Sequence, residues 1–347
     1  MKRNFLKTLR CPSCLGALKL NEYENGEENV INGNLNCLHC KVNFDIKDGV
    51  PIFGLRDSDK DERIREIKAE NKWVFSANDL KEHIRFAKAS SQEGRYLIEH
   101  LNHIDENYKY GKNVLDIGSG WGCFQAWQFA KRGYNVTAIE LCPEFIFASD
   151  NVARDCYFER IVADCTILPF RDQSFDIVFC KETMHHIDDP LLLLNEMWRV
   201  CSPNGLIVIK EPCVSSLLKL FISKINRAKK LGISHHFQTQ RDYMKLIDEI
   251  ICEPIISRRI YDEFSPLIQR IPLSNSIYNL IIYLLGCNLE VIGTRKDNYA
   301  LDQSANRELI PIKIDEMDFN LINFYRNELI PIAFGEFQKE LIHNNFL

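Results

Sequence analysis

Across residues 111–210, short apolar runs alternate with glycine, proline and acidic residues, and this pattern predicts strands alternating with helices. Val114, Leu115 and Ile117 form an apolar, partly β-branched strand that runs into Gly118-Ser119-Gly120-Trp121-Gly122, and a helix is predicted over Phe124 to Lys131. A second strand spans Asn135 to Ile139 and closes on Glu140. The third, Arg160 to Cys165, is expected to end on Asp164. Ser174 to Cys180 reads as a fourth strand and Gly205 to Lys210 as a fifth. Between these last two, Met184-His185-His186-Ile187-Asp188-Asp189-Pro190 opens a helix through Val200. This order predicts an α/β fold built on a parallel sheet.

Further along, Asp242 to Ile251 has amphipathic helical spacing, and Ile255 to Ile260 and Leu289 to Arg295 read as two more strands. Between them, Ile277 to Leu285 is strongly apolar. The expectation is a helix packed on the core or over the active site, with a membrane-surface or lipid contact as the alternative. In the tail, Phe319 to Leu329 and Phe334 to Ile342 read as helices with no assigned role.

The first 55 residues have a different pattern. Short strands are predicted at Leu18 to Leu20, Asn34 to Asn36 and Asn43 to Ile46, beside two C-x-x-C knuckles. Cys11 and Cys14 form one knuckle and Cys37 and Cys40 the other, with 22 residues between them. Four thiolates at this spacing can surround one Zn²⁺, giving a closed structural site, a zinc ribbon. A redox C-x-x-C needs only one pair, so two pairs favour metal over redox chemistry or an empty ribbon. His39, between two of the ligands, could replace one but reads as a surface residue. Residues 54–72 are dense in charges of mixed sign and predict a solvated linker that becomes helical by Arg63. Helices are expected over 73–110, covering the site.

The chain of 347 residues is long enough for two or more units and carries a net charge of −5, so no global basic field calls for nucleic acid. It has no uninterrupted apolar stretch of about 18 residues, so no membrane span is expected. Met1 to Leu6 is basic but has no apolar core after it, and reads as no signal peptide. The remaining cysteines of the 13 are scattered, which fits reduced thiols in a cytoplasmic protein.

The glycines of the turn allow the backbone to approach a ligand closely, and the helix behind it points N–H groups at whatever sits there. A carboxylate at the next strand end, Glu140, can accept from ribose hydroxyls. The turn is G-x-G-x-G after an Asp, not the G-x-G-x-x-G of nicotinamide dehydrogenases. VLDIGSGWG, IEL, VADCTILPF, FDIVFCKETMHHIDDP and PNGLIVIKEP, in that order, resemble the class I S-adenosylmethionine-dependent methyltransferases of the type 11 kind, over roughly residues 90–296.

The resemblance implies a doubly wound, seven-stranded Rossmann-like sheet whose last two strands form an antiparallel hairpin, here with residues 263–288 inserted. It implies S-adenosyl-L-methionine as cofactor. Asp116, Gly118, Gly120 and Gly122 would line the methionine end, with Ser119 and Trp121 nearby. Glu140 would take the ribose hydroxyls, Leu141 the adenine face and Asp164 the adenine amino group beside Cys165. Cys180, Lys181 and Glu182 would lie beside the sulfonium. Leu6 to Phe53, with CPSC and CLHC, resembles the Trm112-like zinc ribbons, which partner with or are fused to methyltransferases. The implied organisation is a ribbon over 1–55, a linker with helices over 56–110, the cofactor-binding domain over 111–296 and a helical tail over 297–347.

Methyl transfer from a sulfonium needs positioning and water exclusion, with proton removal as an aid. Candidates for the base are His185 and His186 after the fourth strand, His235 and His236 in a loop that could cover the site, and Glu211 at the fifth strand's end. A small-molecule, sugar or lipid-linked acceptor is favoured by the balanced charge of residues 1–53, whose long loop carries Glu22, Glu24, Glu27 and Glu28. RNA docked by the zinc ribbon is the alternative, and a non-catalytic scaffold the third reading. The sequence leaves the oligomeric state open.

Overall fold

In the computed structural model the described residues are 1–76, 111–215, 236, 238–259, 286–299, 306–314 and 317–343. Five apolar segments form the parallel heart of a sheet: β6 (Asn113–Ile117), β7 (Asn135–Glu140), β8 (Glu159–Val162), β9 (Phe175–Lys181) and β10 (Cys201–Val214). β11 (Ile251–Arg259) and β12 (Gly286–Arg295) add the expected antiparallel hairpin, with β12 paired to β10. The apolar segment proposed as the insertion, at 263–288, lies outside the described residues up to position 285.

The sheet does not stop at seven strands. β1 (Leu18–Asn25), β2 (Val30–Cys37), β3 (Asn43–Lys47) and β4 (Val50–Ile52) pair antiparallel in sequence, and β4 then pairs parallel with β8 through Ile52 and Val162. One sheet of eleven strands results, in the order β1-β2-β3-β4-β8-β7-β6-β9-β10-β12-β11. The N-terminal strands therefore extend the large sheet instead of forming a sheet of their own. The main chain reinforces the seam, with Arg10 N–H donating to Pro169 O and Arg171 N–H to Thr8 O, both at 2.9 Å.

Strand alternation divides the core into two layers. Val114, Ala138, Phe179 and Val208 face α2 (Phe124–Lys131) and α3 (Pro143–Ala148). Leu115, Ile139, Val178 and Ile207 face α5 (Pro190–Val200), α6 (Gln240–Ile250) and the N-terminal strands; α4 (Asp150–Asp155) follows α3. Asp189 caps α5 by accepting the Leu191 N–H, with Pro190 at the first helical position, and Thr239 with Asp242 forms a capping box on α6.

The tail packs on the first layer. α7 (Phe319–Phe324), a π-helical turn (Tyr325–Leu329) and α8 (Ile330–His343) form one continuous helical run. Phe334 and Phe337 stack on Phe124 at 5.8 and 4.8 Å between ring centroids, and both rings meet Trp127 edge-on. The tail thus backs the helix that follows the glycine turn.

Two expectations need correction. Residues 54–72 are not a solvated linker: β5 (Gly54–Arg56) pairs with β13 (Leu309–Pro311), and α1 (Lys60–Ser76) follows. Arg56, Arg63 and Glu66 are all buried, Arg56 donating to Thr166 Oγ1 and Arg63 pairing with Glu66. Strand β8 ends at Val162, before Asp164. The Asp164 carboxylate accepts from Thr166 N–H at 2.9 Å and Thr166 Oγ at 2.7 Å, and this tight turn takes the chain out of the sheet.

Candidate active site

The carboxyl ends of β6, β7, β8 and β9 open into one cleft of about 860 Å³ at the point where the strand order reverses. Gly118, Gly120 and Trp121 from the turn line it, with Glu140, Leu141, Cys142, Asp164, Cys165, Thr183 and His186. The turn requires glycine: Gly118 has φ +68°, and a Cβ there would collide with Thr183 Oγ1. Gly120, at φ +64°, has nothing within 4 Å of its Cβ direction, so its backbone is open to a ligand.

Glu140 spans the turn. Its Oε2 accepts the Gly120 N–H at 2.9 Å, and its Oε1 accepts the N–H groups of Leu141 and Cys142 at 2.7 and 3.0 Å. Burial pushes its carboxyl above the ordinary value while these three N–H groups pull it down. Asp164 is equally engaged: besides Thr166, its Oδ2 accepts the Arg56 N–H at 3.3 Å and lies 3.8 Å from Arg63 Nε. Asp116 sits beneath the turn, fully buried, and burial raises its carboxyl to about 7 despite Ser119.

Helix α1, whose charged face reads as solvent-exposed in the sequence, forms one wall of the cleft. Arg63, Glu66 and Ile67 line it. Arg63 Nη1 donates to Glu66 Oε2 at 2.9 Å and to His186 O at 3.0 Å. Glu66 Oε1 lies 2.8 Å from His186 Nδ1. Burial disfavours the Glu66 carboxylate, but His186 and Arg63 outweigh it and hold its carboxyl below the usual value. The i,i+3 spacing of Arg63 and Glu66 is visible in the sequence; that the pair would be buried is not.

The candidate bases separate. His186 lines the cleft. His185 points away from it and is buried, its Nδ1 bonded to Glu211 Oε2 at 2.8 Å; burial pushes its imidazole well below the usual value. Glu211 Oε1 accepts the Thr183 and Met184 N–H groups at 2.8 and 2.6 Å, and burial raises its carboxyl to about 7. His185 and Glu211 therefore hold the loop after β9 and do not face the cleft. His236 stands at the periphery, with Nε2 3.4 Å from Glu62 and Nδ1 3.5 Å from Asp188. His235 lies outside the described residues.

Asp116, Ser119, Gly122, Cys180 and Lys181 are not among the lining residues. Alternation along β9 sends Cys180 into the core, whereas Glu182, from the same expected segment, lines the cleft together with Thr183. Ser119 Oγ turns back to Asp116 O at 3.0 Å.

Away from the cleft, the sulfur atoms of Cys11, Cys14, Cys37 and Cys40 all lie within 4.8 Å of one another. Cys11 to Cys40 is 3.6 Å and Cys14 to Cys37 is 3.4 Å. Tetrahedral ligation with Zn–S of ~2.3 Å requires about 3.8 Å between sulfurs, so the cluster could hold a metal ion with small adjustments. Gly16 keeps the space open, since a Cβ there would lie 3.1 Å from Cys14 Sγ.

The family model described as "Methyltransferase domain" matches residues 115–209, from within β6 to within β10, including the glycine turn. Phosphoethanolamine N-methyltransferase 1 of Zea mays is 33% identical over 111 residues, 31% of this chain and 22% of the relative. An uncharacterized methyltransferase of Mycobacterium sp. (strain JLS) is 38% identical over 99 residues, 28% of this chain and 38% of the relative. Among solved structures, geranyl diphosphate C-methyltransferase from Streptomyces coelicolor A3(2) is similar at 16% identity and a TM-score of 0.46, over 58% of this chain and 76% of that one. The chain spans well under half the length of these curated relatives.

Proposed function

We propose that this protein is an S-adenosylmethionine-dependent methyltransferase acting on a small-molecule acceptor, with a structural zinc ion in its N-terminal ribbon. The observation that carries the reading is Glu140, placed at the end of β7 across from the open backbone of Gly120. A ribose diol fits that carboxylate, and the apolar wall of Leu141 and Phe145 beside Asp164 suits an adenine. The chemistry the cofactor supplies when bound is a methyl carbon on a positive sulfur, already activated for displacement.

The chain's own residues orient, shield and deprotonate. The carboxylates of Glu66, Glu140, Asp164 and Glu182 around the cleft favour a cationic cofactor. Helix α1 walls the cleft on one side and places the apolar Ile67 in its lining. His186, which lines the cleft with Nδ1 2.8 Å from Glu66 Oε1, is the group to take a proton from an acceptor hydroxyl or ammonium. Arg63 holds the pair together by bonding both Glu66 and the His186 carbonyl. Replacing His186 by Asn lowers turnover roughly 10²–10³-fold, within the range for a lost general base, and leaves cofactor affinity unchanged. Full turnover in that variant removes His186 from the chemistry.

The phosphoethanolamine N-methyltransferases among the relatives support a small polar acceptor. So does the balanced charge of the ribbon, which offers RNA no basic stripe. Labelled cofactor added to a cell extract, followed by separation into RNA, protein, lipid and small-molecule fractions, tests the class. Label in the small-molecule or lipid fraction supports the proposal, and label in RNA replaces it with a ribbon-docked RNA reading. Absence of turnover with intact cofactor binding supports a scaffold.

A further inference from the structure

A second cleft, of about 1170 Å³ and open to solvent, lies at the seam between the N-terminal strands and the tail. Helix α3 stands between the two clefts: Phe145 lines the first, while Arg160 and Arg326 of the second bond the carbonyls of Ile146 and Phe147 at 3.2 and 2.9 Å.

Three arginines line this cleft, and their carboxylate partners do not match them in number. Arg154 Nη2 and Arg160 Nη2 both go to Asp150, at 2.6 and 2.7 Å, so one carboxylate serves two guanidinium groups. Arg326 pairs with no carboxylate among the described residues; its side-chain hydrogen bond is the one to Phe147 O, and its Nε has no partner. Of the other lining carboxylates, Glu159 accepts the Lys2 backbone N–H at 3.0 Å, and Asp48 belongs to the ribbon side. Arg326 is delivered by the π-helical turn, a rare interruption of a helix that often marks a functional position. Tyr157, 42% exposed, stands at the mouth with the Lys2 ammonium 4.3 Å from its ring centroid.

We infer that this cleft binds a phosphorylated small molecule carrying a flat ring, of the nucleoside diphosphate class. Guanidinium forks match phosphate oxygens, and the 74% exposed side chain of Arg154 can swing from Asp150 to such a group. Tyr157 offers the ring a stacking face. The concave shape and the chain's net charge of −5 favour a small ligand over a nucleic acid strand.

Calorimetric titration of the full-length protein with ADP, and separately with pyrophosphate, tests this. Both bind, with dissociation constants on the order of 1 mM or tighter, and added salt weakens them. Arg154→Gln and Arg326→Gln each weaken binding about tenfold, as expected for one charge-assisted contact. ADP binds more tightly than pyrophosphate, and Tyr157→Leu removes the difference. Saturating S-adenosylhomocysteine leaves ADP binding in place, and Arg154→Gln binds S-adenosylhomocysteine like the parent. Three results overturn the inference: displacement of ADP by S-adenosylhomocysteine, parent-like ADP binding in both arginine variants, or tighter binding of a short RNA oligomer than of ADP. Failure of S-adenosylhomocysteine to bind leaves the ADP result standing and counts against the methyltransferase proposal alone.

Discussion

Replacing Glu140 by Ala removes the carboxylate that bonds the glycine turn and that we assign to the ribose of the proposed cofactor. Its two oxygens accept three backbone N–H groups, at 2.7, 2.9 and 3.0 Å. A hydrogen bond to a charged group contributes about 1.5–3 kcal/mol, so losing two ribose contacts weakens cofactor binding by about 3–6 kcal/mol, or roughly 10²–10⁴-fold. The variant also strands the N–H groups of Gly120, Leu141 and Cys142. At about 1–3 kcal/mol for each buried unsatisfied donor, and with water reaching part of this cleft, the fold loses a few kcal/mol and melts several degrees lower. Glu140→Gln separates the two effects: its amide oxygen still accepts from the turn, but its charge is gone. The assay is calorimetric titration with S-adenosylhomocysteine, alongside a thermal melt. Binding by Glu140→Ala within twofold of the parent, in a folded protein, refutes the assignment of Glu140 to the ribose.

Purified protein is expected to carry about one zinc ion per chain by elemental analysis, and Cys11→Ser, at a fully buried position of the four-cysteine cluster, to lower that content together with the melting temperature; a metal-free protein that melts like the parent contradicts this. Phe337→Ala leaves a hole beneath Phe124 and Trp127 and costs about 3–5 kcal/mol by denaturant unfolding; a loss under ~1 kcal/mol means the tail does not pack as described. Burial disfavours the Glu196 carboxylate, but Arg199 and Arg307 outweigh it and hold the carboxyl at about 2. A depressed acid contributes stability above its unfolded value, and that stability is lost as pH falls through about 4.5 toward 2. The parent therefore weakens over that window, while Glu196→Gln is less stable at neutral pH and changes less on acidification. Parallel acid-unfolding curves for the two proteins would exclude the Arg199 and Arg307 pairing as the cause.

The parts readable in the sequence are those set by local chemistry. Val114 to Gly122 announces a buried strand and a tight turn because apolar β-branched residues and glycine each have a narrow backbone role. Glu140 is found by its place after a strand, and the two cysteine knuckles by spacing alone. What the sequence hides depends on distant partners. Arg63 and Glu66 look solvated until Asp164 and His186, more than a hundred positions away, are brought beside them. His185 and His186 are adjacent and chemically identical, yet only the fold separates a loop anchor from a cleft residue. Strand β4 is three residues long with Pro51 at its centre, too short and irregular to reveal that it joins two sets of strands.

That junction has a consequence for how the chain can be divided. With β4 absent, β8 becomes the outermost strand of the core, and the carbonyl of Val162 loses the Phe53 N–H that caps it at 2.8 Å. An uncovered parallel edge of this kind, beside the buried ring of Phe170, which loses its edge contact with Phe5, is a template for self-association. The N-terminal strands thus cover the edge of the parallel core. A fragment starting at Gly54 is expected to aggregate unless another strand is supplied at β8, which would make solubility the first property to fail on removing the N-terminal strands.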